Sequence, residues 1–272
     1  MLSAIVCLSG LRPAVLCSAA GTKDVSAVIT KIKGTASFQP SLPATGGKSR
    51  SPAAGKWFTA RQGMGLKQND RIKTEINSNV TVVIEGGALF RIEENTTVQL
   101  LNLVSETEKK KKIIKSQIGI PQKGKVLSYI RKFVGTQNNH FSIKTPVCTA
   151  SVRGTGLAVD VEDEETTHIA VFEGRVVVKD FVEDSLLPQD NEEFLLLFLH
   201  EISMKPNQMT TVTKKGIKKP FKLTGKMIDS QQEIADLKKH SIEIEEAWKS
   251  TARSERNHNQ KKVREAAINE KR

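Results

Sequence analysis

Few residues of this 272-residue chain stand where side-chain chemistry could be done. The five histidines, His140, His168, His200, His240 and His258, are widely separated. None forms the His-x-His or His-Glu-x-x-His pair that would hold a transition metal. The run Glu162-Asp163-Glu164-Glu165 could attract a cation. It lacks the spacing and the glycine of a calcium loop, and reads as a solvated hairpin tip. Gly154-Thr155-Gly156 is not followed by the Gly-Lys-Ser/Thr of a phosphate loop. A Gly-x-Ser-x-Gly elbow is also absent. Cys7 and Cys17 lie in an apolar N-terminal segment, which leaves Cys148, flanked by Val147, Thr149 and Ala150. It reads as a small apolar core residue rather than a reactive thiol. No cofactor and no metal is implied, so the residues argue for a binding protein and not for an enzyme.

One polar residue needs separate weighing. Arg153 sits between Val152 and Gly154, ahead of the strand-like series Leu157, Val159 and Val161. A buried arginine must be paired or hydrogen-bonded. Gly154 allows close backbone approach, and the Thr155 hydroxyl can bond locally. An arginine that ties loops together is the favoured reading, with a ligand contact as the alternative. Just before it, Phe141-Ser142-Ile143-Lys144 alternates as a short strand and stops at Thr145-Pro146.

The elements that must position these residues are β-strands. From Val25 the pattern is β, with Val28, Ile29 and Ile32 leading to Gly34 and Ala36 and Phe38 following, before an exposed Pro-, Gly- and Ser-rich loop from Pro40 to Lys56. In Gly65–Thr74, Asn69 is a residue that tolerates left-handed backbone, and Asp70 can cap its own turn. Val80, Val82 and Ile84 lead to Gly86-Gly87, and Ala88, Phe90 and Ile92 return, which predicts a hairpin. A weaker echo at Ile169–Val178 places Glu173-Gly174 between two alternating runs. Lys109 to Lys112 suits a solvated loop or a guarded strand edge. The six apolar residues Phe194–Leu199 read as a doubly buried strand, too short to span a bilayer.

The segments Asn69-Asp70-Arg71-Ile72-Lys73-Thr74, Gly124-Lys125-Val126, Thr145-Pro146, Arg153-Gly154-Thr155 and the closing Pro206–Val212 together resemble the FecR domain. Asn69 stands where that family usually has glycine. The resemblance covers about Val25 to Val212. It implies a mainly β fold, an antiparallel twisted stack of solenoid-like or sandwich-like form, followed here by a C-terminal α-helix. It marks Asp70, Thr74, Gly86, Thr145, Pro146, Arg153, Gly154, Thr155 and Gly174 as motif positions, structural or in contact with a partner. It also implies a non-catalytic, extracytoplasmic role. FecR proteins of the iron-uptake type relay a signal from an outer-membrane transporter to a cytoplasmic sigma factor.

The flanks complete the expected organisation. Residues 1–20 read as an export signal, almost wholly apolar from Leu2 to Leu8 and apolar again from Leu11 to Leu16 apart from Arg12, with Ser18-Ala19-Ala20 as the cleavage site. A lipoprotein site at Cys17 is disfavoured by Leu16. The β-domain is expected over 25–212, a basic connector over 213–227 and a charged helix or tail over 228–272. Ile234, Leu237, Ile244 and Trp248 form a short stripe that fades beyond Trp248. The segment after Val212 is therefore expected to be dispensable for folding. The net charge of +12 comes from scattered lysines with few aromatics, which argues against specific nucleic-acid binding. The expected protein is exported to the periplasm or cell surface, without a transmembrane anchor once its signal is cleaved. Its expected partner is an envelope protein or wall polymer.

Overall fold

The computed structural model describes residues 23–24, 27–41, 55–108, 111–131, 139–181, 201–250 and 253–269. The signal-like segment, most of the Pro- and Gly-rich loop and the apolar run Phe194–Leu199 lie outside them. The chain opens with β1 (Lys23–Asp24), β2 (Ala27–Lys33), β3 (Ala36–Gln39), β4 (Phe58–Thr59), β5 (Gly65–Leu66) and β6 (Arg71–Thr74). Next come β7 (Asn79–Ile84), β8 (Ala88–Ile92), β9 (Thr97–Glu108), β10 (Lys111–Gly119), β11 (Gly124–Ile130) and β12 (His140–Lys144). The longest strands are β13 (Cys148–Val161) and β14 (Thr166–Asp180). The shorter β15 (Glu201–Met204), β16 (Gln208–Thr213), β17 (Gly216–Ile217) and β18 (Phe221–Lys222) follow. Two helices end the chain, α1 (Lys226–Ser250) and α2 (Arg253–Asn269).

The fold is mainly β, and its sheet curls back on itself. Antiparallel pairing runs β2–β7–β8–β11–β13. The first half of β13 pairs with β12, which lies parallel to β10, so the sheet is mixed. β10 pairs with β9, β9 with β6 and β6 with β3. Because β2 and β3 are consecutive in the chain, the curl ends beside the strand where it began.

Both faces of the central strands are covered. One face encloses a core that includes Ile29, Phe38, Ile72, Phe90, Val126 and Val159. On the other, Val83, Leu89, Leu127, Ala158 and Phe172 meet Met227, Ile234 and Leu237 of α1. This double burial explains why β7 reads Val-Thr-Val-Val-Ile rather than as a clean alternation.

The helices and the connector differ from expectation. The segment expected as a basic connector carries β17 and β18, which hydrogen-bond along β16. The chain beyond Trp248 does not trail off: Ala267 of α2 lies in the main core, with Val263 and Ile268 packed against it. Their spacing marks one face of a helix, masked in the sequence by the surrounding basic residues.

Candidate functional site

Seven of the nine motif residues lie at three places, where they satisfy backbone groups, and Thr74 and Gly86 lie apart from these. The first is a corner in the β13–β14 hairpin, where the register shifts between Arg153 and Gly156. Before the shift, β13 pairs with β12 through Thr149–Val152; after it, β13 pairs with β11 through Gly156–Val161. β14 likewise passes from β16 to β15. The two long strands thus bend together. Gly154 and Gly174 both take left-handed backbone, at φ of 60° and 77°. A Cβ on Gly174 would overlap the Gly154 carbonyl oxygen and lie 2.6 Å from Thr155 Oγ1. Thr155 closes the gap in the ladder: its hydroxyl donates to Arg175 O at 3.0 Å and accepts from Arg175 N at 3.2 Å. Gly174 therefore does not separate two strands, as the echo of Glu85-Gly86 suggests, but lies inside one, β14. Here the glycine bends a continuous strand instead of reversing it. Arg153 Cα lies opposite Arg175 in this ladder; its side chain lies outside the description.

The second place is the turn at Thr145-Pro146. The Thr145 hydroxyl accepts from Cys148 N at 3.2 Å and from the Thr167 hydroxyl at 3.1 Å. Thr145 N donates to Cys148 O at 2.8 Å. Pro146, half-buried, needs no donor partner in this turn. Burial pushes the Cys148 thiol up to about 11, partly opposed by its contact with Thr145 and aided by Asp180. Thr74 works similarly, donating to Glu93 O at 2.5 Å and accepting from Thr96 N at 3.1 Å. Gly86 lies in the β7–β8 turn, where its carbonyl accepts from Asn139 Nδ2 at 3.2 Å.

The third place is different, because it joins the motif to α2. Asn69 adopts a φ of 66°, the left-handed backbone that its type allows. Asp70 is fully buried. Its carboxylate accepts from Lys67 N and Ser41 N, each at 2.8 Å. Arg264 Nη2 donates to Oδ1 at 3.0 Å and Nη1 to Oδ2 at 2.5 Å. Nη1 also donates to Gly65 O at 2.9 Å, and the guanidinium stands 5.4 Å from the Phe38 ring centroid. A Cβ on Gly65 would come within 2.9 Å of Gln260 Cβ, so the glycine admits the helix. Arg264 has no motif around it and is not legible in the sequence.

Charged contacts also fix α1. Arg91 pairs with Glu93 and reaches Glu233 at 2.8 Å. Burial raises the Glu93 carboxyl above its ordinary value, against the lowering effect of Arg91. Lys238 pairs with Glu173 at 2.6 Å, beside Gly174; that bond raises its pKa. A cleft of about 460 Å³ between β2, β7 and α1 is lined by Lys31, Lys33, Lys239, Asp236, Glu243 and His240 among others. Its bases and acids interleave. Among the described residues no cluster could hold a metal ion. The run Glu162–Glu165 is an exposed hairpin tip whose Glu162 meets His168 at 3.1 Å and Glu165 meets Lys214 at 3.2 Å.

No curated protein matches this chain. Two solved structures of a proposed anti-sigma factor from Parabacteroides distasonis overlap it with TM-scores of 0.38 and 0.37 at 17% identity. The overlap covers 58% of this chain and 60% of theirs, so the chain spans less than two thirds of their length. The family model described as FecR protein matches residues 70–177, from the clamped aspartate to the strand past the Gly154–Gly174 corner. That stretch is where the chain matches the FecR family domain.

Proposed function

We propose that this chain is a non-enzymatic, extracytoplasmic binding module of the bacterial cell envelope that acts in regulation through a protein partner. The FecR match over 70–177 carries the reading. It is supported by the use of the motif side chains: those of Asp70, Thr74, Thr145 and Thr155 all bond backbone groups within the fold, which suits a rigid platform more than a reacting site. In a second reading the same module is a sensory-regulatory component of an iron-uptake-type system. No helix among the described residues is long and apolar enough to cross a membrane. A separate membrane partner would then carry the signal inward, a route suggested by the family's known relay.

Fractionation of the native cell, with N-terminal sequencing and in-cell crosslinking, tests this. The expected result is an envelope protein that begins near Gly21 and crosslinks to a membrane or periplasmic protein. A cytosolic chain with Met1 intact overturns the location, and a turnover activity lost on mutation of one polar residue overturns the non-enzymatic role.

A further inference from the structure

The stretch from Ile202 to Ile228 holds seven lysines and no aspartate or glutamate. Its folded course concentrates that charge. β17 and β18 lie along the same edge of β16, pairing Ile217 with Val212 and Phe221 with Met209. The Thr210 hydroxyl donates to Lys218 O at 2.6 Å and Lys218 N donates to Thr211 O at 3.0 Å, which holds the intervening turn against the sheet. Lys214, Lys215, Lys218, Lys219 and Lys222 are exposed along this ribbon. Of the nearby acids, Glu165 engages Lys214, and Asp180 is buried beside Gly216. Lys215, Lys218, Lys219 and Lys222 remain as a cationic edge.

Phe221 interrupts the lysines with its side chain 40% exposed, at the rim of the cluster that Met209 and Leu223 share with α1. Lysines alone on a sheet edge would serve to prevent edge-to-edge pairing. A guarded edge gains nothing from an exposed phenylalanine, whereas an interfacial surface gains an apolar group that enters below the headgroups. The ribbon is an edge with one ring, not a groove with a series of rings on which bases could stack.

We propose that the β16–β18 ribbon docks on an anionic lipid surface, with Lys215, Lys218, Lys219 and Lys222 facing the headgroups and Phe221 entering the interface. The proposal names a partner for the envelope module above and rests on that reading for its setting only. Its chemistry can be read on purified protein, whatever the cellular location proves to be.

The test is co-sedimentation of the full chain with vesicles of equal parts phosphatidylglycerol and phosphatidylcholine, against phosphatidylcholine alone. The wild type is expected to bind the anionic vesicles and to release as salt rises. Each lysine near such a surface is worth roughly fivefold in partition. The four-site variant Lys215→Gln, Lys218→Gln, Lys219→Gln, Lys222→Gln should therefore lose at least about tenfold. The corresponding four arginine substitutions should keep binding, and Phe221→Ala should weaken it at constant charge. All variants share the same N-terminal segment, so its own affinity for lipid cancels. Thermal melts confirm folding; should the glutamine variant fail to fold, Lys219→Gln and Lys222→Gln singly decide by the same comparison. Equal binding to both vesicle types, or no effect of the lysines, overturns the proposal. Tighter lysine-dependent binding to duplex DNA than to vesicles also overturns it, in favour of a soluble polyanion.

Discussion

Arg264, in the last helix, forms a bidentate ion pair with Asp70, 194 positions earlier, inside the FecR-matched segment. Asp70 is fully buried and the Arg264 side chain is 12% exposed. Two backbone N–H groups share the carboxylate, so it remains an acceptor whichever way α2 sits. Removing the guanidinium leaves a buried charge with those two donors alone. Arg264→Ala is expected to cost about 3 kcal/mol, at the low end for breaking a buried pair. Arg264→Lys should rescue only part, since one ammonium cannot reproduce the fork over both oxygens and Gly65 O. Urea unfolding of the singles and of the double variant with Asp70→Asn measures the coupling. Additive losses would show that the pair does not act as one.

Gly174→Ala should be among the most destabilising single substitutions in the chain. The new methyl would collide with the Gly154 carbonyl, and alanine would be held at φ of 77°. Strain of this kind costs about 1–3 kcal/mol before the collision is counted. Thr155→Val keeps the shape and removes the hydroxyl that bridges Arg175, with an expected loss of about 1–2 kcal/mol. Thermal unfolding of both variants should rank them in that order.

Cys148 should resist thiol reagents in the folded protein. It is fully buried, and its thiol is pushed up to about 11. The nucleophile is the thiolate, which is scarce at neutral pH. Labelling with iodoacetamide should follow global unfolding, rising with urea at the same midpoint as loss of circular dichroism. Rapid labelling without denaturant would show that the Thr145 turn opens locally.

Glu93 gives a pH dependence with a definite sign. Burial lifts its carboxyl above the ordinary 4.5, with Arg91 opposing. The folded state therefore holds the proton to higher pH than the unfolded chain does. The stability this contributes is fully present below the unfolded value and is lost as pH rises through the folded one. Glu93→Gln should remove that decline while keeping a hydrogen-bond acceptor for Arg91. Urea midpoints compared between about pH 4 and pH 7 read the difference.

Much of the sheet is legible in the sequence because its signals are local. Gly86-Gly87 between alternating runs specifies the β7–β8 turn, and Asn69, standing where the FecR pattern has glycine, is of a type that tolerates the left-handed backbone it adopts. Gly174 misleads because Glu-Gly looks the same whether a strand reverses or bends; the distinction lies across the ladder, in Gly154 and Thr155. Hydrophobic patterning is equally blind at β17 and β18. Their two-residue pairings leave no period to detect, and Ile217 and Phe221 give no strand signal among the lysines. Arg264 carries no signal because its role depends on a buried Asp70 distant in sequence. Along α2 it is one basic residue among several.

The helices should prove necessary for the fold. Against the expectation that the chain after Val212 is dispensable stands the place of its apolar residues. Met227, Ile234 and Leu237 are almost fully buried against Leu127, Ala158 and Phe172. Gly156 has no side chain where Ile234 Cγ2 approaches, since a Cβ there would lie 2.7 Å from it. Ala267 is buried in the main core. Each large apolar side chain so placed is worth about 1.5–3 kcal/mol relative to exposure. Losing three such residues, together with the Arg264 clamp, compares with the whole stability of an ordinary domain, about 5–15 kcal/mol. A chain ending at Gly225 should therefore aggregate or lose its cooperative transition. A chain ending at Ser250 keeps α1 but exposes Asp70, and should fold with a lowered midpoint. Adding Asp70→Asn to that shorter chain should recover part of the loss, because the uncompensated charge is then gone. If the Gly225 truncation melts like the full chain, the α1 face contributes nothing and the β-sheet closes its own core.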